Sequence, residues 1–491
     1  MPVPPKAYHE TTSYERNLMG GAPLDWLNQP TVYKNYPHAP RWPLPKEFEI
    51  PSMGMLELFG THQASKSSKA WNLEELAMTL RLTCAITAKS TYQGGEFFYR
   101  STPSAGALYP CEIYLSAFGV QGLPSGLYHY NLKEDSLVQI RTIQADPEGD
   151  ETGVVFFLSV IFFRSSWKYR ERAYRYLLLD TGHLLENLLL ALKAAGRPSR
   201  VLLDFQDEKV NSFLGLDHRH EVCLAMVEAG ASTASDSTLS SVLSLPPDNI
   251  PWAEPSAPRQ TIFPLILEAH AAGCKFIPHD NEPGYRMGQE LGLSLGMPQP
   301  LERARPRTHE MGYVNTLWQR RSKRAYLPRP LDKQRFYWLL ESLQMMETPS
   351  SQRPDGLLAI GFLVREVEEL ACGFYIFDIQ QGLLFEAARG DLARNMAYAC
   401  LEQSWMAKAA LQVIFLSNLE VLESRMGARA YRYAMILAGR MGQRIYLAST
   451  ALGLGACGVG AFYDQEAARL LGLNQPSKLL YLLTSGPVHG V

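Results

Sequence analysis

The 491-residue chain has almost no net charge: 47 Lys and Arg against 49 Asp and Glu leave a formal −2 at neutral pH. No global field therefore draws it to nucleic acid or to an anionic membrane surface, and neither is expected as a partner. Long hydrophobic runs are also lacking. The longest, GVVFFLSVIFF from Gly153 to Phe163, is far too short to span a bilayer and reads as a buried strand. The opening MPVPPKAYHE has neither the basic start nor the apolar stretch of a signal peptide. Seven cysteines, at 84, 111, 223, 274, 372, 400 and 457, include no C-x-x-C pair and no histidine spacing that suggests zinc. These absences point to a cytoplasmic protein with reduced thiols and no metal site.

What is there fits two folded units. At 46% hydrophobic and 20% charged residues the composition is that of a globular protein, and the length exceeds what one core accommodates. Residues 231–260 are rich in Ser and Pro and read as a linker. Residues 1–55, with LDWLNQP and YPHAPRWPLP, read as an extended arm. That leaves one domain over 56–230 and a second over 261–491.

A pentapeptide ties the two domains together. RAYRY occupies 172–176 and again 429–433, an offset of 429 − 172 = 257. At that offset Gly182 falls on Gly439, Gly196 on Gly453, Phe205 on Phe462 and Asp207 on Asp464. A register held over about 45 residues marks an internal duplication. In each copy a helical pattern follows RAYRY and an apolar strand precedes it, so the expected class is α+β, used twice. The pentapeptide itself, common to both copies, reads as structural.

Three motifs carry candidate chemistry. Arg320, Arg321, Ser322 and Arg324 offer forked donors and a hydroxyl suited to a phosphate, although a solvated basic helix start would look similar. LGLGACGVGAF places Gly455, Gly458 and Gly460 together, which would let backbone approach a flat ligand; a tight helix-to-strand turn needs fewer glycines. RSTPSAGALYP, with Pro103, Ser104, Ala105 and Gly106, forms a turn of small residues able to line a planar ring or simply to reverse the chain.

Taken together, the arginine–serine cluster, P-S-A-G-A-L-Y-P, W-K-Y-R-E-R-A-Y-R-Y and G-A-C-G-V-G-A-F resemble the nitroreductase superfamily, in its SagB/ThcOx-type dehydrogenase branch. The resemblance touches most of the chain from about residue 60. It implies tandem nitroreductase-like domains, each a mixed sheet packed by helices, joined as an intramolecular pseudo-dimer. It implies FMN as cofactor, with phosphate held by Arg320, Arg321, Ser322 and Arg324. The ring would lie between Pro103, Ser104, Ala105 and Gly106 on one side and Gly455, Ala456, Cys457 and Gly458 on the other. In azoline oxidases of this branch a Lys-Tyr pair is implicated in catalysis, and that role carries to Lys168 and Tyr169, with the lysine expected to be buried.

The register shows what each copy has lost. Aligning Leu331 with Leu73 sets Arg320, Arg321 and Ser322 against His62, Gln63 and Ala64. At the 257 offset Gly455, Gly458 and Gly460 fall on Pro198, Val201 and Leu203, and Lys168 and Tyr169 on Arg425 and Met426. The second copy has TPSSQRPDGLLAIGFLV, from Thr348 to Val364, in place of the Pro-Ser turn. Complementary losses predict one composite site. The expected activity is FMN-dependent dehydrogenation of a small-molecule or peptide substrate, an azoline-like ring among the candidates. An NAD(P)H-dependent nitro or quinone reductase is the second enzymatic reading, and a flavin-free scaffold the reading of another class. Two features depart from the family pattern: no Lys or Arg follows Lys478, and the N-terminus shows no winged-helix-like peptide clamp.

Overall fold

The computed structural model describes residues 2–20, 23–62, 70–92, 95–143, 153–230, 250–274, 287–305, 310–347 and 354–489. Two compact units emerge, and they do not follow chain order. One comprises residues 23–53 and 61–267; the other comprises 1–22, 54–60 and 268–491. Of the Ser/Pro-rich stretch, residues 231–249 lie outside the described residues.

The unit of residues 23–53 and 61–267 is built on seven strands: β1 (Arg41–Pro43), β4 (Cys111–Phe118), β5 (Gly126–Asn131), β6 (Ser136–Thr142), β7 (Gly153–Ile161), β8 (Ser199–Leu202) and β9 (Glu221–Gly230). Their order is β1-β6-β5-β4-β7-β9-β8; a separate hairpin pairs β2 (Ile86–Tyr92) with β3 (Gly95–Arg100). β7 is the apolar run expected as a strand, but it ends at Ile161, and Phe162 and Phe163 open the helix Phe162–Tyr169. Flanked by β4 and β9, its side chains are buried on both faces, which explains the near absence of polar alternation.

In the other unit the strands are β10 (Pro298–Pro300), β11 (Ala359–Val364), β12 (Gly373–Asp378), β13 (Leu383–Arg389), β14 (Leu411–Asn418), β15 (Leu454–Val459) and β16 (Ser477–Pro487). Their order, β10-β13-β12-β11-β14-β16-β15, repeats the first sheet strand for strand. Among the described residues the strand ladders of both seven-stranded sheets run antiparallel, and each sheet is packed by helices, as expected of an α+β domain used twice.

The 257-residue offset recurs in the helices. Phe162–Tyr169 corresponds to Leu419–Met426, and Ala173–Ala194 to Ala430–Ala451. Both long helices are almost wholly buried, as expected of helices apolar on nearly every face. Some of the shorter helices begin at a side-chain cap. Asn72 accepts from Glu75 N–H to start Leu73–Thr83, and Asp332 accepts from Arg335 N–H to start Lys333–Gln344.

The segment expected to be an extended arm contains some regular structure. Pro5–Thr11 is a helix with proline at its start, and β1 adds to β6. Lys34 is partly buried, pairs with the buried Glu221 and donates to Tyr114 Oη at 2.6 Å. Arg164 donates to Thr31 C=O at 2.8 Å and pairs with Glu112. Buried ion pairs of this kind hold position at the cost of desolvation. RAYRY opens each long helix. Arg172 donates to Tyr176 Oη at 3.1 Å in the first copy, and Arg429 to Gly273 C=O at 3.0 Å in the second.

Candidate functional site

The Pro-Ser turn connects β3 to β4 by a strained path. Three residues in it have left-handed backbone: Gly106 (φ +63°), Ala107 (φ +54°) and Tyr109 (φ +45°). Only the first is a glycine, so the other two store roughly 1–3 kcal/mol each and persist because their surroundings hold them. The holding groups come from two helices. Asp180, buried in Ala173–Ala194, accepts from the Ser104 hydroxyl at 2.6 Å and from Ala105 N–H at 3.3 Å. Ser104 Oγ accepts in turn from Tyr109 N–H at 2.9 Å. Arg164, in Phe162–Tyr169, donates to Tyr109 C=O at 3.1 Å.

Lys168 and Tyr169 end that same helix, and the structure brings them to the turn. A Cβ built on Gly106 would lie 2.6 Å from Tyr169 Oη and 3.2 Å from Lys168 Nζ, so the glycine makes room for the pair. The Lys168 ammonium is 5.4 Å from the centre of the Tyr169 ring, which packs 4.6 Å from that of Tyr176. The lysine is exposed, against the expectation that it would be buried. Its position explains the difference: it stands on the last turn of a helix whose buried face is carried by Phe162, Phe163 and Arg164. The chain then bends through Arg170, whose φ of +47° is again left-handed.

Arg320, Ser322 and Arg324 lie in the other unit, where the chain leaves the helix Tyr313–Gln319 and runs beside β15. Ser322 bridges Ala456, and Lys323 N–H donates to Ala456 C=O at 2.9 Å. Tyr446, in the long helix Ala430–Ala451, lies behind both segments. Its hydroxyl accepts from Gly458 N–H at 2.6 Å and bonds Ser322 Oγ at 2.9 Å, while the Arg320 guanidinium lies 5.3 Å from its ring centre. Burial pushes the Tyr446 phenol up, so it serves as a neutral hydroxyl. Burial also pushes the Cys457 thiol up, against the opposing pull of Arg324. Arg324 stands 5.6 Å from the Trp405 ring centre.

Arg321 is differently placed. It donates to the carbonyls of Trp318 and Arg320, at 2.9 and 2.7 Å, closing the end of its own helix.

The glycine segment differs from the expected turn. Leu454–Val459 is extended, as edge strand β15, and the reversal is made before it by Gly453 at φ +71°. Neighbouring side chains require two of its glycines. A Cβ on Gly455 would come within 2.5 Å of Val488 and 2.8 Å of Lys323 Cβ, and one on Gly458 within 1.9 Å of Tyr481 Oη.

At the counterpart positions, Val201 lies in β8 and Pro198 just before it. Gln63 and Ala64, opposite Arg321 and Ser322, lie outside the described residues, as do residues 348–353 of the second copy's replacement for the Pro-Ser turn. The rest of that replacement is a short helix, Pro354–Leu357, leading into β11.

Two anchors, Asp180 and Tyr446, were not singled out from motifs. The register held the signal: at the 257 offset Asp180 falls on Leu437, and Tyr446 on Leu189. Each long helix thus carries a polar anchor for its own copy's motif where the other copy has leucine.

As for a flavin mononucleotide, the donor set of Arg320, Ser322 and Arg324 at one strand edge suits a phosphate. The Gly106 turn, with no Cβ and with Lys168 and Tyr169 at its edge, suits a flat ring system. Each unit thus holds residues suited to one part of such a group.

Comparison with known proteins agrees across both copies. The family profile described as "Nitroreductase family" matches residues 73–230 and 317–486. A relative from Methanocaldococcus jannaschii, provisionally named nitroreductase MJ1384, is 29% identical over 181 residues, covering 36% of this chain and 91% of its own. The trifolitoxin-processing protein TfxB of Rhizobium leguminosarum bv. trifolii is 29% identical over 212 residues, covering 36% of this chain and 57% of TfxB. The microcin B17-processing protein McbC of Escherichia coli is 30% identical over 135 residues, 24% of this chain and 50% of McbC. Among solved structures, an Anabaena variabilis protein provisionally named a nitroreductase has the same fold over 98% of both chains, with a TM-score of 0.75 at 24% identity. No helix among the described residues is long and apolar enough to cross a membrane.

Proposed function

The chain belongs to the nitroreductase family of oxidoreductases, and from that premise we propose that it is an FMN-dependent dehydrogenase of the SagB type that binds one flavin per chain. The observation that carries the proposal is the division of parts between the copies. The Pro-Ser turn with Lys168 and Tyr169 is held by Asp180 in one unit, and the arginine–serine cluster against β15 is held by Tyr446 in the other. Neither copy retains both sets, so a single flavin is expected per chain.

In this reading Arg320, Ser322 and Arg324 hold the phosphate, and the backbone of Pro103–Gly106 and of Gly455–Gly458 lines the ring. FMN, when bound, supplies the redox chemistry by accepting a hydride. Lys168 and Tyr169 move the accompanying proton: the pair takes it from the substrate and, through the exposed Lys168, passes it to solvent. The likeness to two peptide-processing relatives supports a peptide-borne ring, azoline-like, as substrate.

A second reading, reduction of nitro compounds or quinones by NAD(P)H, is favoured by one observation, the exposure of Lys168. That chemistry needs no Lys-Tyr pair. Flavin stoichiometry tests the first proposal: one FMN per chain is expected, two would contradict the division of parts, and a colourless protein would sink the flavin reading altogether. Turnover of Lys168→Ala then separates the two reactions. A fall of a hundredfold or more at unchanged flavin content supports the dehydrogenase, and undiminished turnover supports the reductase.

A further inference from the structure

An aspartate in the middle of a buried helix is an unfavourable choice on several counts. Its side chain competes with the helix backbone, and its charge must leave water. Asp180 lies about two turns into Ala173–Ala194, and the Cys111 thiol of β4 meets the hydroxyl of its neighbour Thr181 at 4.0 Å. Its two hydrogen-bond donors are the Ser104 hydroxyl and the Ala105 amide. Both immediately precede the left-handed residues Gly106 and Ala107.

We propose that Asp180 is the positioning residue of the turn, using its two carboxylate oxygens on Ser104 and Ala105 to hold the strained Gly106–Ala107 backbone against Lys168 and Tyr169. The inference rests on the reading of this turn and the Lys-Tyr pair as one half of the reaction site. The geometry supports it from three directions. Ser104 Oγ links Asp180 to Tyr109 N–H, so one carboxylate governs both ends of the left-handed stretch. A Cβ at Gly106 would meet the Tyr169 hydroxyl at 2.6 Å, so a small shift of the turn changes the spacing to that hydroxyl. The other copy, which has no Lys-Tyr pair, has Leu437 at the same helical position.

Hydrogen–deuterium exchange of peptides spanning 101–110, with the β9 peptide 221–230 as internal reference, tests the inference in the full chain as purified. In Asp180→Leu, exchange over 101–110 should rise tenfold or more while β9 stays unchanged; in Asp180→Asn, which keeps an acceptor and a donor at the same place, it should remain within about threefold of wild type. Unchanged exchange in Asp180→Leu overturns the proposal. Should that variant loosen β9 as well, Ser104→Ala, which removes one of the two donors to the carboxylate, decides: a rise confined to 101–110 upholds the inference, whereas no rise or a general one overturns it. In flavin-loaded protein, Asp180→Leu should also lower kcat tenfold or more with flavin content unchanged and largely recover in Asp180→Asn; unchanged kcat beside a loosened turn overturns the link to the reaction. A flavin-free wild type would refute the flavin reading and leave the exchange result to decide the role of Asp180.

Discussion

Replacing Asp180 by asparagine should change how stability depends on pH, and in a direction opposite to that of most carboxylates. Burial raises the Asp180 carboxyl to about 7, and the bonds from Ser104 and Ala105 only partly offset it. An unfolded aspartate titrates near 3.9, so between roughly pH 4 and 7 the folded protein holds a proton that the unfolded chain has released. Stability from this group is therefore fully present below pH 4 and is lost as pH rises through 7. Linkage between those two values gives a loss of about 2–3 kcal/mol from pH 5 to pH 8. Asparagine carries no charge at either pH and can accept from Ala105 N–H while donating to Ser104 Oγ. The variant should thus gain about 2–3 kcal/mol relative to wild type on going from pH 5 to pH 8, whatever the other titrations contribute, because those cancel in the difference. Urea denaturation read by pulse proteolysis, with fragments around Asp180 quantified by mass spectrometry, measures the unit concerned without assuming that the whole chain unfolds in one step. A wild-type-to-variant difference that is the same at both pH values, within about 0.5 kcal/mol, would refute the reasoning.

Other perturbations bear on the remaining parts. Gly458→Ala places a methyl 1.9 Å from the hydroxyl of Tyr481, whose ring stacks on Phe415; a loss of at least about 2 kcal/mol is expected by urea denaturation, and a neutral result would show that β15 shifts freely. Tyr446→Phe removes the acceptor of Gly458 N–H and the partner of Ser322 Oγ. It should cost about 1–3 kcal/mol and weaken flavin retention about tenfold by equilibrium dialysis. Arg170→Gly relieves a left-handed residue where the second copy already has Gly427 at φ +69°; a gain of about 1 kcal/mol in unfolding free energy is expected, and destabilisation would mean that the arginine side chain matters more than its backbone.

Much of the fold is legible in the sequence because duplication writes it twice. A single pentapeptide sets the offset, and the same 257 residues separate Phe162–Tyr169 from Leu419–Met426 and the two long helices from each other. The candidate site is legible as a set of motifs, since Pro103–Gly106, Lys168, Tyr169 and the arginine–serine cluster each stand out locally. Less visible was how those motifs are supported. Arg321 has the same composition signal as Arg320 but turns back onto its own helix end. Lys168 carries no local mark of exposure, which depends on where its helix meets the rest of the unit.

The sequence by itself determined that two related copies exist and that their motifs are divided between them, because periodicity, repeat register and residue substitution are properties of the chain read in order. Tertiary structure alone decided which groups hold those motifs in place. Asp180 reaches Ser104 across 76 residues, and Tyr446 reaches Ser322 across 124. It also decided that Leu454–Val459 is an edge strand rather than a turn, since Val488, Lys323 and Tyr481 cover its glycines. The reason is physical: backbone preference is set by near neighbours, whereas burial, strain and the partners of a polar side chain are set by residues that only folding brings close.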